Sequence, residues 1–163
     1  MLPPKTLALA AQTLAALRAR AWRVATAESC TGGLIAASLT HIAGSSDVLD
    51  RGFVTYSNDA KSTLLGIPPA LIETHGAVSQ HVAQAMAEGA LARAPVHLAI
   101  SVTGIAGPGG ATPGKPVGLV WFGLACRGKA TATFSQIFPG DRATIRALTV
   151  ATALQALEQA ADA

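Results

Sequence analysis

The sequence predicts a layered α/β fold built around a mixed sheet, within a single domain that covers residues 1–163. Strand-like segments alternate with helical ones along the chain, which is the pattern of α/β proteins. Half of the residues are hydrophobic but only 4% are aromatic, so Ala, Val, Leu and Ile must form the core and let helices pack close to a sheet. Two adjacent strand-like segments near the end predict a hairpin, which makes one strand antiparallel.

The first half of the chain opens with leucines at helical spacing, and short runs rich in Val, Thr and aromatic residues follow. The second helix is expected to stop at Gly44, because glycine commonly follows the end of a helix. The predicted elements are a helix over residues 5–20, a strand over 22–27, a helix over 32–42 and a strand over 49–56.

The second half contains a short helix, a longer helix that Ser79 can cap, and a continuous apolar run typical of a buried strand. A stretch rich in Gly and Pro covers residues 104–116, and the predicted hairpin turns at residues 127–128. The predicted elements are a helix over 59–65, one or two further turns over 68–75, a helix over 79–93, strands over 96–102, 117–126 and 129–138, and a helix over 142–160.

Charge and composition exclude several classes of function. The net charge is +3 with a pI near 9.2, but the Lys and Arg residues are scattered, without the basic cluster that nucleic-acid binding needs. Apolar stretches are about half the ~20 residues that span a bilayer, and residues 1–5 do not resemble a signal peptide. Cys30 and Cys126 form no disulfide framework. We therefore expect a cytoplasmic protein that binds neither nucleic acid nor membrane.

Three segments follow predicted strands, at the position where open α/β sheets bind ligands. They are residues 28–33, 56–61 and 103–110. Because parallel strands bring their carboxyl ends to one edge of a sheet, we expect the three segments to converge there. The third segment offers backbone N–H donors for an oxyanion hole or an anion nest, although its glycine-rich composition also suits a flexible surface loop.

Ser29 lies where a strand passes into a helix, a position that suits a nucleophile. Its hydroxyl would lie beside unpaired N–H groups at the helix start, and the glycines that follow let those groups approach a substrate carbonyl. Two other interpretations stay open. In the first, Ser29 is only a helix cap. In the second, the nucleophile is the neighbouring Cys30, because the start of a helix would lower the pKa of its thiol.

Lys61 is a candidate for the base that a serine nucleophile requires. Ser57 or Asn58 is expected to cap its helix, which places Lys61 in the first helical turn. The helix dipole opposes a cation at that position and so favours the neutral amine. The alternative is a solvated surface lysine that happens to fall early in a helix.

Sequence motifs for cofactors and metals are not found. Residues 109–115 match the spacing of a phosphate loop, but Pro116 stands where that motif needs Ser or Thr. The glycine-rich segment has no G-x-G-x-x-G dinucleotide fingerprint, and the histidines show no metal-ligand spacing. We therefore predict that the protein uses no cofactor and no metal.

The chain resembles the CinA carboxy-terminal domain family in blocks that occur in family order and cover it nearly end to end. The blocks are AESCTGG at residues 27–33, RGFVTYSN at 51–58 followed by Lys61, GAVS at 76–79, VTGIAGPGG at 102–110, KPVG at 115–118 and FPGDR at 138–142. Their combination is highly specific. Members of the family include nicotinamide-nucleotide amidases, and larger relatives carry a second, amino-terminal domain, so the chain resembles the stand-alone form.

The resemblance implies a three-layer α/β/α sandwich with a mixed, mostly parallel sheet of about five strands. It also implies hydrolysis of nicotinamide mononucleotide to nicotinate mononucleotide and ammonia, in pyridine-nucleotide recycling, without a metal. By matching blocks, Ser29 becomes the nucleophile and Lys61 its base. Tyr56, Thr103 and Arg142 become neighbours that bind or polarise the substrate. For the oxyanion we expect backbone N–H groups of the turn at Cys30, Thr31 and Gly32, joined by the segment of Thr103 and Gly104.

Three other interpretations of function stay open at this point. In the first the chain is a non-catalytic nucleotide-binding module, in the second it is an accessory protein in competence or damage response, and in the third it is an amidase of another small amide. The expected partner is a small-molecule nucleotide, and a homodimer would be unsurprising for a small α/β domain. Ammonia release from a panel of amides distinguishes these interpretations.

Overall fold

The computed structural model describes residues 2–163, so Met1, with which the predicted domain begins, lies outside the described residues. These residues form six α-helices and five strands, and every predicted element is present. The elements are α1 (Pro4–Ala19), β1 (Val24–Glu28), α2 (Leu34–Thr40), a 3-10 turn (Ser45–Asp47), β2 (Leu49–Val54), α3 (Asn58–Leu65), α4 (Pro69–His75), α5 (Gln80–Arg93), β3 (Leu98–Gly104), β4 (Leu119–Cys126), β5 (Ala132–Ile137) and α6 (Arg142–Asp162).

The strands of the described residues form one mixed sheet in the order β2-β1-β3-β4-β5. Strand β1 pairs in parallel with β2 and with β3. Strand β4 pairs antiparallel with β3 on one side and with β5 on the other. Four strands therefore point in one direction and β4 runs against them, which confirms the predicted hairpin and the mixed, mostly parallel sheet.

Helices cover both faces of the sheet. Helices α1, α2 and α6 pack together on one face, and α3, α4 and α5 pack together on the other. The first face buries the larger aliphatic cluster, which includes Leu14, Leu17, Ile100 and Leu154. This arrangement confirms the three-layer α/β/α sandwich.

Helix α5 lies close to the sheet because the strand residues beneath it are small. A Cβ atom at Gly123 of β4 would lie 2.4 Å from the Ala83 carbonyl oxygen. The Ser101 hydroxyl of β3 donates a 2.6 Å hydrogen bond to the same oxygen. The predicted cap of this helix is also confirmed, since the Ser79 hydroxyl accepts from the Val82 N–H at 3.3 Å. Small residues thus set the layer spacing on this face, as the composition indicates.

The most informative boundary differences lie at the edge of the sheet where the parallel strands end. Helix α2 begins at Leu34 rather than at residue 32, because Gly32 and Gly33 have φ values of +60° and +100°, outside the right-handed helical region. Strand β2 ends at Val54 rather than at residue 56, and β3 continues to Gly104. Most other ends differ from prediction by one to three residues. The turn after β1 is therefore not helical. The glycine-rich loop keeps its predicted length but lies two residues further along the chain, because β3 ends at Gly104 and β4 begins at Leu119.

Candidate active site

A cavity of about 300 Å³ opens beside the carboxyl ends of β1, β2 and β3. The three segments that were expected to converge at this edge all contribute to its walls. They supply the turn after β1, the loop and first helical turn after β2, and the end of β3. The loop before α5 and the first residue of α6 complete the lining.

Ser29 and Lys61 meet in the wall of this cavity. The Lys61 Nζ atom lies 3.1 Å from the Ser29 Oγ atom, which is hydrogen-bond distance. Helix α3 holds Lys61 in place, because the Ser57 hydroxyl caps the helix by accepting from the Ala60 N–H at 3.0 Å. Of the two caps considered from the sequence, Ser57 is therefore the one observed.

The amine of Lys61 is buried and surrounded by oxygen atoms. The side chain is 1% exposed, so the interpretation as a solvated surface lysine is wrong. Besides Ser29 Oγ, Nζ contacts the carbonyl oxygens of Thr55 and Tyr56 at 3.0 and 3.4 Å. Burial lowers the pKa of Lys61 from its ordinary value. The structure thus adds desolvation to the helix dipole as a reason for a neutral amine.

The three oxygen neighbours of this amine are compatible with its neutral form. A neutral amine has two N–H groups and one lone pair. The Thr55 and Tyr56 carbonyls can only accept hydrogen bonds, so they take the two N–H groups. In that form the lone pair faces the Ser29 hydroxyl and is free to accept its proton, whereas a protonated amine donates to all three oxygens. A lone pair beside a hydroxyl is what a serine nucleophile requires of its base.

The turn after β1 is held by Glu28, a residue that sequence patterns did not single out. Its side chain is fully buried, and its carboxylate accepts from the Thr31 hydroxyl at 2.7 Å and from the N–H groups of Ile35 and Ala36 at 2.8 and 3.0 Å. These two N–H groups belong to the first turn of α2, where the helix dipole favours a negative charge. The expectation that this helix start offers unpaired donors to Ser29 is therefore wrong, because Glu28 occupies them.

Unpaired donors are present in the turn itself. Within residues 2–163, the main-chain N–H groups of Cys30 and Thr31 donate no hydrogen bond to another residue. Their neighbours on either side are engaged. The Ser29 N–H donates to the Val102 carbonyl at 3.0 Å, and the Gly32 N–H donates to the Ser29 carbonyl at 3.1 Å. Of these two residues, Cys30 lines the cavity, whereas Thr31 is fully buried and does not line it. The Cys30 N–H is therefore the one that a ligand in the cavity can reach.

Cys30 lines the cavity but is not an acidified thiol. Burial, with a smaller contribution from the Glu28 carboxylate, raises the pKa of the Cys30 thiol to about 12. The expectation that a helix start lowers this pKa is wrong, because α2 begins only at Leu34 and Glu28 takes its first N–H groups. The thiol is therefore protonated at neutral pH and a poor nucleophile.

Tyr56 and Arg142 form a polar edge of the cavity. Arg142 is the first residue of α6, and it donates to the Tyr56 hydroxyl at 3.1 Å and to the Gly107 carbonyl at 2.9 Å. The Tyr56 side chain is 63% exposed. Arg142 thus connects the loop after β2 with the glycine-rich loop. The side chains of Tyr56 and Arg142 are both exposed and accessible to a ligand.

Thr103 and Gly104 shape the wall at the end of β3. The Thr103 hydroxyl donates to the Ala77 carbonyl at 2.8 Å, which holds the loop before α5. A Cβ atom at Gly104 would lie 2.6 Å from a Val120 methyl carbon and 2.9 Å from the Leu119 carbonyl oxygen. Only glycine therefore allows β4 to approach at this point. The start of the glycine-rich segment is ordered strand rather than a flexible surface loop.

The structure places most of the predicted site residues together. Two of them lie elsewhere: the Thr31 side chain turns to Glu28, and Gly32 is exposed beside Arg146. The predicted residues that line the cavity are Ser29, Cys30, Tyr56, Lys61, Thr103, Gly104 and Arg142. The lining residues that were not predicted as site residues are Asn58, Ala77, Val78 and Ala106. Those four fall within the blocks that carry the family resemblance, which was the available signal for them.

The polar groups of the cavity are hydroxyls, an amine, a guanidinium, a thiol, a carboxamide and main-chain amides. Such a set suits a ligand with a carbonyl group or a negative charge. Among residues 2–163, no group of three or more His, Cys, Asp or Glu side chains is placed to hold a metal ion. None of the described helices combines the length and the apolar character needed to cross a membrane.

We expect Glu28→Gln to lower the free energy of unfolding by about 2 kcal/mol. A glutamine side chain offers one oxygen to these donors, and its NH₂ group would face either a hydroxyl or a helix N–H without accepting from it. Urea denaturation should show a lower midpoint at an unchanged m value. The control is Glu88→Gln on the exposed face of α5, expected to stay within about 0.5 kcal/mol of the wild type. Equal effects of the two substitutions would contradict the capping role.

Comparisons with known proteins agree on one family. The profile of the CinA C-terminal domain matches residues 6–161. The chain is 52% identical over 141 residues to the nicotinamide-nucleotide amidohydrolase PncC of Enterobacter agglomerans, with 86% of each protein covered. It is 50% identical to a CinA-like protein of Akkermansia muciniphila over 83% of this chain, but spans only 33% of that protein's length. The crystal structure of the competence/damage inducible protein CihA from Agrobacterium tumefaciens matches with a TM-score of 0.95 at 46% identity, covering 100% of this chain and 99% of that one. The chain therefore belongs to the CinA C-terminal domain family.

Proposed function

We propose that the chain hydrolyses the carboxamide of nicotinamide mononucleotide to nicotinate mononucleotide and ammonia, with Ser29 as nucleophile and Lys61 as general base. The observation that carries this proposal is the 3.1 Å contact between Lys61 Nζ and Ser29 Oγ in a ligand-sized cavity. The substrate is suggested by relatives of similar length, such as the nicotinamide-nucleotide amidohydrolase PncC of Escherichia coli, 48% identical with 92% of its length covered.

In the first step, neutral Lys61 takes the proton of the Ser29 hydroxyl while Oγ attacks the carboxamide carbon. The new C–O bond pushes the carbonyl electrons onto oxygen and creates an oxyanion. The unpaired N–H group of Cys30, in the cavity wall, stabilises that charge. Removing one donor of this kind typically raises the barrier by about 3 kcal/mol.

In the second step, protonated Lys61 returns its proton to the departing nitrogen as the C–N bond breaks. Ammonia leaves, and an ester joins Ser29 to the nicotinoyl carbon. Lys61 is neutral again and takes a proton from water, which attacks the ester. That proton passes back to Ser29 Oγ as the bond to the acyl carbon breaks, and the enzyme returns to its starting state. The carboxylic acid product loses the second proton of the water molecule to the solvent and departs as the carboxylate.

The cationic pyridinium ring of the substrate fits the electrostatics of the cavity. A neutral Lys61 avoids a contact between like charges beside the reacting carbonyl. The exposed ring of Tyr56 offers an aromatic face to a cation. Arg142 uses only two of its guanidinium N–H groups on Tyr56 and Gly107, so its remaining donors are free to bind the phosphate.

The proposal is tested by measuring ammonia release from nicotinamide mononucleotide beside free nicotinamide and glutamine, with and without a chelator. We expect steady release from the nucleotide and little from the other two amides, which lack the pyridinium charge and the phosphate. Release from another amide alone would refute the substrate. Loss of activity with the chelator would refute the serine–lysine mechanism, and thermal stabilisation by the nucleotide without turnover would indicate a nucleotide-binding module.

A further inference from the structure

Arg146 contacts the turn that carries Ser29, although it does not line the cavity. It follows Arg142 by one turn of α6, so the two side chains share one face of the helix. The Arg146 guanidinium donates from Nε to the Cys30 carbonyl and from Nη2 to the Thr31 carbonyl, each at 3.1 Å. The side chain is partly buried, and none of the ion pairs among residues 2–163 involves it. Its contacts at the site are therefore with main-chain oxygens.

These two bonds constrain the orientation of the peptide planes that carry the unpaired N–H groups of the turn. In a trans peptide the C=O and the N–H lie on opposite sides of one plane. The Cys30 carbonyl shares a peptide unit with the Thr31 N–H, so its bond to Arg146 directs that N–H away from the guanidinium.

The second bond acts through one further peptide unit. The Thr31 carbonyl shares a peptide unit with the Gly32 N–H, which donates to the Ser29 carbonyl at 3.1 Å. The Ser29 carbonyl in turn shares a peptide unit with the Cys30 N–H. Arg146 therefore constrains both unpaired N–H groups, one directly and one through Gly32.

We propose that Arg146 is a positioning residue for the oxyanion hole. It holds the Cys30 and Thr31 peptide units so that the N–H group of Cys30, which lines the cavity, points at the charge that forms when Ser29 attacks a carbonyl. This inference rests on the proposed function only in assuming that attack. Arginine suits the role because its planar fork spans two neighbouring carbonyls, whereas lysine is a point donor.

We expect Arg146→Ala to lower kcat by about 10²-fold and to change KM much less, because Arg146 lies outside the cavity lining. Arg146→Lys should fall between alanine and the wild type. Guanidinium ion, added to Arg146→Ala at a non-denaturing concentration, should restore part of kcat by occupying the vacated position. A purely structural contact would show neither the split between kcat and KM nor the rescue.

Arg127 provides a matched control away from the cavity. Its guanidinium also donates to main-chain carbonyls, those of Leu91, Ala94 and Val96. Arg127→Ala should therefore lose stability to a similar extent, keep the kcat of the wild type and show no rescue by guanidinium. An equal fall of kcat in both alanine variants would overturn the proposal.

A fluorophosphonate probe separates this inference from the assignment of the substrate. The Ser29 oxygen bonds to phosphorus, fluoride leaves, and the serine proton passes to the base, so labelling requires no nucleotide. If the wild type is labelled at Ser29 but releases no ammonia, the substrate is wrong, while slower labelling of Arg146→Ala still supports the positioning role. If labelling rate and kcat of Arg146→Ala equal those of the wild type, Arg146 has no such role.

Discussion

Replacing Ser29 with alanine is expected to reduce kcat for nicotinamide mononucleotide by roughly 10⁴- to 10⁶-fold. The substitution removes the oxygen atom that Lys61 Nζ contacts at 3.1 Å and leaves the rest of the cavity wall in place. Among residues 2–163, no other side-chain hydroxyl forms a hydrogen bond with Lys61 Nζ, so no other side chain can take the place of the Ser29 hydroxyl. Ammonia release at saturating substrate measures the loss, and thermal melting establishes that the variant is folded.

Cys30→Ala is the control for this experiment, because it removes a nucleophilic side chain from the next residue of the same turn. We expect it to keep most of the activity, since burial raises the pKa of the thiol to about 12 and keeps it protonated. The reverse outcome, with Ser29→Ala active and Cys30→Ala inactive, would identify the thiol as the nucleophile.

The fold was predictable where it depends on local patterns. The alternation of strands and helices and the hairpin after residue 116 appear in the sequence as periodicity and turn residues. The strand order was not predictable in this way, because it depends on pairing between distant segments. The start of α2 was placed too early because glycines permit a helix as well as the positive φ values that Gly32 and Gly33 adopt.

The identity of the main site residues was predictable from the sequence, but their burial and their hydrogen-bond partners were not. Ser29 and Lys61 could be singled out from strand ends, a helix cap and the family blocks. The burial of Lys61 could not, because it depends on the packing of α3 against the sheet. Glu28 was missed because its partners include the first turn of a helix whose start was misplaced. Arg146 was missed because its contacts join residues 115 and 116 positions apart in the chain.

Replacing Lys61 with methionine is expected to reduce kcat by about 10²- to 10⁴-fold with a smaller change in KM. Methionine fills a site that is 1% exposed, but it has no amine lone pair to take the Ser29 proton. Lys61→Arg should be similarly inactive, because a guanidinium keeps its proton at any accessible pH. If either variant keeps the activity of the wild type, Lys61 is not the base.

The same base predicts the direction of the pH dependence. Burial lowers the pKa of Lys61, and the neutral amine is the active form. A plot of log kcat/KM should therefore rise with pH while Lys61 loses its proton, and should level off below the ~10.4 of an exposed lysine. The residual activity of Lys61→Met should lack this rise.

The free energy of unfolding should follow the same titration with a sign that can be worked out. Between the lowered pKa of the folded protein and the ~10.4 of the unfolded chain, the unfolded chain binds more protons at Lys61. The free energy of unfolding of the wild type, relative to Lys61→Met, should therefore rise with pH through this window. Below the folded pKa both states are protonated, so the difference is constant and the penalty for burying the charge is complete. Urea denaturation at a series of pH values measures this difference, and a flat curve would mean that burial does not favour the neutral amine on which Ser29 activation depends.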